Sequence, residues 1–408
     1  MTLPNPTPGS PWLSRVLAGP GTGKTRLIIH NLVERLQQGQ NPATMIGVTF
    51  SRRAAKEMRD RLQKARVRAP WLGTFHALAY RILADQKQVP SPLELDKLIP
   101  GATEGLRHAQ VPAWIRPIRF VAVDEAQDLD ATQVEFLIEL RKCMTDPEFL
   151  LVGDPDQAIY GFRKASAKYL LSAEDIFRAP CRTIILAENH RSVPNIVDFA
   201  RRLLVRSAHP DAPCHRLSAS RTENNPAVHW LVATNEADEA AKIFEEVRTL
   251  LAFRVPANRI AILVRVRAQF TALHAEAAEW KIPLFTPATH DQLEEGKDPP
   301  EPPSDAVLLM TMHQSKCTEF QAVFVAGVQE GLMPHHRAKT PEDIDEECRT
   351  LYVSCTRAEV ALFLCRHGQI SRFCTPEYMS RRFAPSSPPF AQSWLHWLAD
   401  FLRGKKAA

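Results

Sequence analysis

The stretch RVLAGPGTGKTRLIIHNL (15–32) reads as a strand, a glycine-rich turn and a helix. Gly19, Gly21 and Gly23 let the backbone N–H groups curl around an anion. The helix that begins near Lys24 aims the positive end of its dipole at phosphates. In such a loop Lys24 reaches the β- and γ-phosphates of a nucleotide, and the Thr25 hydroxyl reaches Mg2+. The loop opens with Ala18 where the general pattern has a glycine.

Outward from this loop the same grammar repeats. Short apolar runs are each followed by a polar or glycine turn and a helical stretch: MIGVTF (45–50), FVAVDE (120–125), FLLVGD (149–154), TIILAEN (183–189), RIAILVR (259–265) and AVLLMTM (306–312). Runs without polar alternation are buried on both faces, as in a parallel sheet covered by helices. Strand alternating with helix predicts an α/β fold. A break near Pro180 divides the strands into two groups. Two sheet domains are expected, 1–180 and 181–385, followed by a tail, 386–408. Proline-rich stretches at 297–304 and 384–390 read as linkers.

Composition fits this plan. The chain has 408 residues, long enough for two to three domains. Hydrophobic residues make up 45% and charged residues 24%, as in ordinary globular chains. No apolar run approaches the roughly 18 residues of a membrane span. The start, MTLPNPTPGSPWL, has no basic region before an apolar stretch, so a cytoplasmic location is expected. The eight cysteines lack zinc-site and iron–sulfur spacings and read as free thiols. A net charge of +5 permits a polyanionic partner without arguing for one.

VAVDEAQDLD (121–130) ends an apolar strand with two adjacent carboxylates. At a strand's carboxyl end both can reach a ligand in the crevice above a parallel sheet. Asp124 would hold Mg2+, and Glu125 would take the proton from an attacking water. Asp-Glu alone is as often a solvated strand end. It gains meaning from the phosphate loop about 100 residues upstream.

Together these residues resemble the UvrD/Rep family of superfamily 1 helicases, over most of the chain and in order. AGPGTGKTR (18–26) resembles motif I, VTFSRRAAKEMRDRL (48–62) motif Ia and GTFHALAYRIL (73–83) motif Ib. VDEAQD (123–128) resembles motif II, LVGDPDQAIYGFRKA (151–165) motif III and LAENHRSVPNIV (186–197) motif IV. LMTMHQSKCTEFQAVFVAG (309–327) resembles motif V, and EECRTLYVSCTRAE (346–359) motif VI. The resemblance implies two RecA-like P-loop domains with ATP in a cleft between them and single-stranded DNA across their tops.

Roles follow from the resemblance one residue at a time. Gln157 would sense the γ-phosphate or the attacking water. Arg191 and Arg357 would reach the γ-phosphate from the second domain, where planar guanidinium forks suit spread negative charge. Glu319 matches the carboxylate that meets the ribose, Arg26 the arginine beside the adenine, and His190 the tyrosine that stacks on it. Phe50, His76, Tyr160, Phe162, Arg163, Thr311 and His313 match DNA-strand positions. Aromatic rings there offer sequence-tolerant stacking, and polar groups hold phosphates. Without the resemblance, Tyr160 and Phe162 could equally pack in a core. The basic helix at 51–68 is either a solvated face or a phosphate contact.

The chain departs from the family in places. Residues 1–17 contain no match to the glutamine motif that reads adenine. Cys317 and Thr318 stand where motif V usually has Gly-Leu, and Cys348 with Thr350 interrupts the arginine-rich start of motif VI. The family's large inserted domains shrink here to residues 84–119 and to a proline-rich acidic linker, 291–305. Small UvrD-like subunits of this kind occur beside nucleases, as in the Gabija phage-defence system.

SWLHWLADFLRGKK (393–406) carries one apolar helix face. It could pack back on the second domain, dock a partner, or lie on a membrane surface. The expected activity is ATP- and Mg2+-dependent translocation on single-stranded DNA, 3′ to 5′, in DNA repair or phage defence. A second reading is a DNA-stimulated ATPase subunit that regulates a partner such as a nuclease and unwinds poorly itself. A third, a nucleotide-binding scaffold without turnover, fits poorly with the full set Lys24, Asp124, Glu125, Gln157, Arg191 and Arg357.

Overall fold

The computed structural model describes residues 12–108, 110–204, 212–222, 227–287 and 300–375. It divides into two units, Met1–Ala187 and Glu188–Ala408. The expected tail helix, 386–408, and residues 291–299 of the expected linker lie outside the described residues.

The first unit runs β1 (Leu13–Ala18), α1 (Lys24–Gln37), β2 (Met45–Thr49), α2 (Arg52–Lys64), β3 (Trp71–Thr74), α3 (Phe75–Asp85) and α4 (Leu95–Arg107). It continues with β4 (Phe120–Val123), α5 (Ala131–Lys142), β5 (Glu148–Gly153), α6 (Lys168–Leu171), α7 (Ala173–Phe177) and β6 (Cys181–Leu186). The strands form one sheet in the order β3-β2-β4-β5-β1-β6, and every pairing is parallel.

Side chains alternate across this sheet with the two-residue period of a strand. Leu13, Leu17, Ile46, Val48, Val121, Val123, Phe149 and Leu151 face a core shared with α3, α4 and α5. Val16, Ala18, Met45, Phe120, Ala122, Leu150 and Val152 face a second core, with Leu27, Ile28 and Leu32 of α1 and Met58 and Leu62 of α2. Both faces are covered, which is why the strands read as unbroken apolar runs.

One expectation changes. The strand expected at 183–189 is two strands. β6 pairs with β1 from Leu13↔Cys181 to Ala18↔Leu186, and the Gly19 amide donates to the Leu186 carbonyl at 3.1 Å. This ladder holds residues 181–186 in the first sheet, so the division falls after Ala187 and not at 180. The stretch 84–119, expected as a reduced insertion, contains α4, which packs on α3 within the first unit. Leu98, Ile99, Ala102 and Leu106 of α4 are buried with Leu78, Ile82 and Leu83 of α3.

The second unit contains β7 (Glu188–Asn189), α8 (Pro194–Leu203), β8 (Ser218–Ala219), β9 (Val228–Val232), α9 (Glu236–Ala252), β10 (Ile260–Val264) and α10 (Phe270–Glu279). After these come β11 (Leu284–Phe285), β12 (Val307–Thr311), β13 (Phe320–Val325), α11 (Pro341–Cys355) and β14 (Ala358–Arg366). Its six-stranded sheet has the order β11-β12-β10-β13-β14-β9, with β7 and β8 forming a separate ladder. All of these pairings are parallel too. One core joins Ile243, Phe244, Val247 and Leu250 of α9 to the sheet. Within it Phe324 and Phe363 stack, ring centroids 4.3 Å apart.

Candidate nucleotide and nucleic-acid site

In the first unit the loop after β1 turns through Gly21 (φ 67°) and Gly23 (φ 87°), backbone conformations that disfavour any side chain. Gly23 caps α1, so the first turn of that helix starts at Lys24 and Thr25. The Thr22 hydroxyl donates to the Gly19 carbonyl at 2.8 Å and braces the loop. Lys24 Nζ folds over it, donating to the carbonyls of Ala18 at 3.0 Å and Gly19 at 3.2 Å. Arg26 is exposed on α1.

The end of β4 delivers the two carboxylates. Thr25 Oγ1 donates to Asp124 Oδ2 at 3.1 Å, and the Asp124 amide is tied to the Val48 carbonyl at 2.9 Å. Asp124 is buried, and burial followed by the neighbouring Glu125 carboxylate pushes its pKa up, against the pull of Lys24. Glu125 sits at φ 53°. This left-handed step lets consecutive side chains share one site instead of pointing to opposite faces of the sheet.

The end of β5 joins through amides. Gln127 Nε2 donates to Glu125 Oε2, while Gln127 Oε1 accepts the Asp154 amide at 2.9 Å. Gln157 Nε2 donates to Asp154 Oδ2 at 2.6 Å. A Cβ at Gly153 would come within 2.4 Å of Gln127 Oε1, so this crossing requires glycine there. Asp154 is fully buried; burial drives its pKa up, and Lys24 opposes the shift. Gln127 and Asp154 were not singled out from the sequence. Both lie inside the stretches 123–128 and 151–165, but nothing in their spacing marks them as links between Glu125 and Gln157.

The donor set fits a nucleotide with a divalent cation. A glycine-shaped loop with a lysine folded over it, beside a hydroxyl within hydrogen-bond reach of a buried carboxylate, makes such a combination.

The second unit gathers a different set. Arg191 Nε donates to Glu319 Oε2 at 3.0 Å and its Nη1 to the Thr356 carbonyl at 3.1 Å. Arg357 is buried, donating to the carbonyls of Val353 at 2.9 Å and Thr318 at 3.3 Å. Burial pushes the Glu319 pKa up, but Arg191, helped by Arg259 and Arg357, holds it below the usual carboxylate range. His190 is exposed, with Nδ1 2.9 Å from Ser220 Oγ. Asn189 is buried, and its Oδ1 accepts the amides of Arg191 at 2.9 Å and Ser192 at 2.8 Å, fixing the turn that presents them.

Glu319 and Arg357 directly precede β13 and β14, so they lie at the amino end of the second sheet. Thr311 closes β12, and His313 follows it, at the carboxyl end. Thr311 Oγ1 donates to Gln314 Oε1 at 3.0 Å. In the first unit, by contrast, Phe50, His76 and the phosphate loop all follow strands at the carboxyl end.

Among the residues expected on DNA, Phe162 is 66% exposed, which excludes the core-packing alternative for it. Tyr160 is half-buried and meets Phe162 edge-on, centroids 5.9 Å apart. Arg163 closes the short turn Gly161–Arg163. Phe50 packs its edge on Phe75 at 5.9 Å and keeps only part of its ring free. His76 lies in the first turn of α3.

Two family models match the chain: the AAA domain over residues 11–163, and the UvrD-like helicase C-terminal domain over 184–291 and 288–369. The chain belongs to the UvrD/Rep-like superfamily 1 helicases. That family consists of ATP-hydrolysing DNA helicases, and the two parallel sheets agree with its two RecA-like domains.

Among curated relatives of this UvrD-like chain, a probable DNA helicase of Mycoplasma pneumoniae (strain ATCC 29342 / M129 / Subtype 1) is 24% identical over 86% of this chain and 79% of its own length. ATP-dependent DNA helicase PcrA of Staphylococcus aureus (strain Mu50 / ATCC 700699) is 24% identical over 63% of this chain and 46% of its own length. The chain thus spans a little under half of the PcrA helicase that it matches. The C-terminal domain of a possible DNA helicase from Lactobacillus plantarum WCFS1 covers 47% of this chain and 92% of that structure, at 19% identity and a TM-score of 0.33. No helix among the described residues is long and apolar enough to cross a membrane.

Proposed function

We propose that this chain is an ATP-dependent single-stranded DNA translocase or helicase, moving 3′ to 5′ as its family resemblance implies. The observation that carries the reading is the meeting of Lys24, Thr25 and Asp124 with the relay Glu125–Gln127–Asp154–Gln157 at the carboxyl ends of β1, β4 and β5.

In this reading the loop amides and Lys24 hold the β- and γ-phosphates. Thr25 and Asp124 would hold Mg2+, which would supply charge that offsets the phosphates. Glu125 accepts the proton of the attacking water, and Gln127 keeps its carboxylate turned into the site. Gln157 orients the water or senses the γ-phosphate. Arg191 serves as a phosphate ligand of the second unit by exchanging Glu319 for phosphate, with Arg357 behind it. Phe162 and Tyr160 stack on bases, and Thr311 and His313 hold the strand.

A second reading, a DNA-stimulated ATPase that regulates a partner and unwinds weakly, draws support from α4. Leu98, Ile99, Ala102 and Leu106 of this helix are buried in the first unit's core, so one of its faces is taken up there. The deciding experiment measures ATP hydrolysis with no nucleic acid, single-stranded DNA, duplex DNA and RNA, beside fork unwinding. Strong stimulation by single strands with unwinding supports the helicase; stimulation without unwinding supports the regulated ATPase. No hydrolysis under any condition would refute both.

A further inference from the structure

We infer that the basic side of α2, continued by its connection to β3, is a docking surface for the phosphate backbone of duplex DNA. The inference rests on the reading that this chain works on DNA. It adds a second surface, apart from the rings that stack on single strands.

Residues 52–68 hold eight lysines and arginines against Glu57 and Asp60, a net charge of +6 where the whole chain carries +5. The rest of the chain is therefore close to neutral. Ala55, Met58 and Leu62 turn one face of α2 into the first unit. Arg52, Lys56 and Arg59 follow one another at i, i+4 and i+7, a stripe beside that face with no acid on it. Arg59 ties this stripe to the edge strand of the sheet, its Nη1 donating to the Leu72 carbonyl of β3 at 3.0 Å. Lys64 ends the helix, and Arg66 and Arg68 carry the charge along the connection to β3. All three are exposed, and their side chains make no hydrogen bond or ion pair among the described residues.

Helix electrostatics leaves much of this charge unexplained. Cations stabilise the last turn of a helix, which accounts for Arg61 and Lys64. Arg52 and Arg53 occupy the first turn, where the dipole repels them, and no acid stands there to offset it. Arg66 and Arg68 lie past the helix end. Of the two acids, Glu57 is already paired with Arg61.

The kinds of side chain present select the nucleic acid. Residues 51–70 contain no Phe, Tyr, Trp or His. Surfaces for single strands interleave cations with rings on which unpaired bases stack. Cations without rings suit a backbone whose bases are already paired and turned inward. From Arg52 to Lys64 the helix rises about 18 Å. That length faces about ten charges of a duplex, at roughly 1.7 Å each.

The test measures binding of the full chain to three DNAs. One is a single-stranded tail, one is that tail ending in a duplex, and one is the tail lengthened with unpaired nucleotides to the same phosphate count. Each is titrated across a range of salt for wild type and two combined variants. The first is Lys64→Gln, Arg66→Gln, Arg68→Gln. The second, Lys87→Gln, Lys97→Gln, Lys142→Gln, removes equal charge from other exposed sites of the first unit. Wild type should bind the duplex-ended tail more tightly than either single strand. The first variant should lose most of that gain. Its slope of log affinity against log salt on the duplex-ended tail should fall by about 2–3, at roughly 0.9 per phosphate contact. The second variant should keep both the gain and the slope. No duplex gain in wild type, or a gain that survives the first variant, would overturn the proposal. An equal gain from the longer single strand would assign the surface to unpaired DNA and overturn the duplex. Equal losses in both variants would reduce the effect to net charge and overturn the surface. If none of the three DNAs binds, the reading that the chain works on DNA fails, and this inference with it.

Discussion

Thr25 Oγ1 and Asp124 Oδ2 lie 3.1 Å apart although 99 positions separate them in the chain. One starts the helix after β1 and the other follows β4, which are separated in the sheet by β5. Only the parallel order of these strands brings the hydroxyl and the carboxylate to one point. Lys24 and Glu125, their immediate neighbours, therefore have distinguishable duties. Lys24→Ala should abolish ATP turnover. Glu125→Gln should slow hydrolysis by roughly 10²–10⁴-fold, as for a lost general base, while still binding ATP. Turnover and nucleotide binding measured side by side check both. Near-normal turnover in Glu125→Gln would remove the base assignment.

Phe162→Ala should weaken single-strand binding by about 1–3 kcal/mol, the range for one base-stacking ring. Basal hydrolysis should change little, and more DNA should be needed to saturate its stimulation. A titration with labelled oligonucleotide reads the loss. Unchanged affinity would leave the exposed ring without a role on DNA.

Cys317 sits at φ 65°, in the left-handed region that costs a residue with a Cβ roughly 1–2 kcal/mol, partly offset by the entropy glycine loses on folding. Cys317→Gly should therefore raise stability by about 0.5–1 kcal/mol, seen as a higher urea midpoint. A lower midpoint would mean that contacts of the thiol outweigh the backbone strain.

Burial, with a smaller push from Glu245, raises the pKa of Glu246 on α9 to about 7. The folded chain then holds this proton more tightly than the unfolded chain, whose pKa is near 4.5. Stability linked to the group is full below pH 4.5 and is lost as pH rises towards 7. Glu246→Gln should match wild type near pH 4 and exceed it at pH 8. Urea unfolding at both values checks the sign; a gap that closes with rising pH would contradict it.

Much of this was legible in the sequence because the chemistry is local. Glycines around Lys24 and paired acids at a strand end report their purpose within ten residues. The relay through Gln127 and Asp154 was not legible, because it depends on β5 lying beside β4. Helix α4 does have a local signal: Leu95, Leu98, Ile99, Ala102 and Leu106 recur at helical spacing. The boundary at Ala187 has no local signal. TIILAEN reads as one strand, and only its pairing with β1 shows where the first sheet stops.

The second sheet has its arginine-bound carboxylate at the amino end and Thr311 at the carboxyl end. If both ends serve as proposed, a movement at one must cross the length of β10, five residues or about 17 Å of backbone. Interiors packed this densely transmit strain instead of absorbing it. The sheet then works as a strut: it is the stiffness of its middle, where no ligand touches, that sets how faithfully a change at Arg191 is delivered to the strand at Thr311. Softening it by trimming a buried side chain such as Ile262 would leave both ends chemically intact and still make the motor slip.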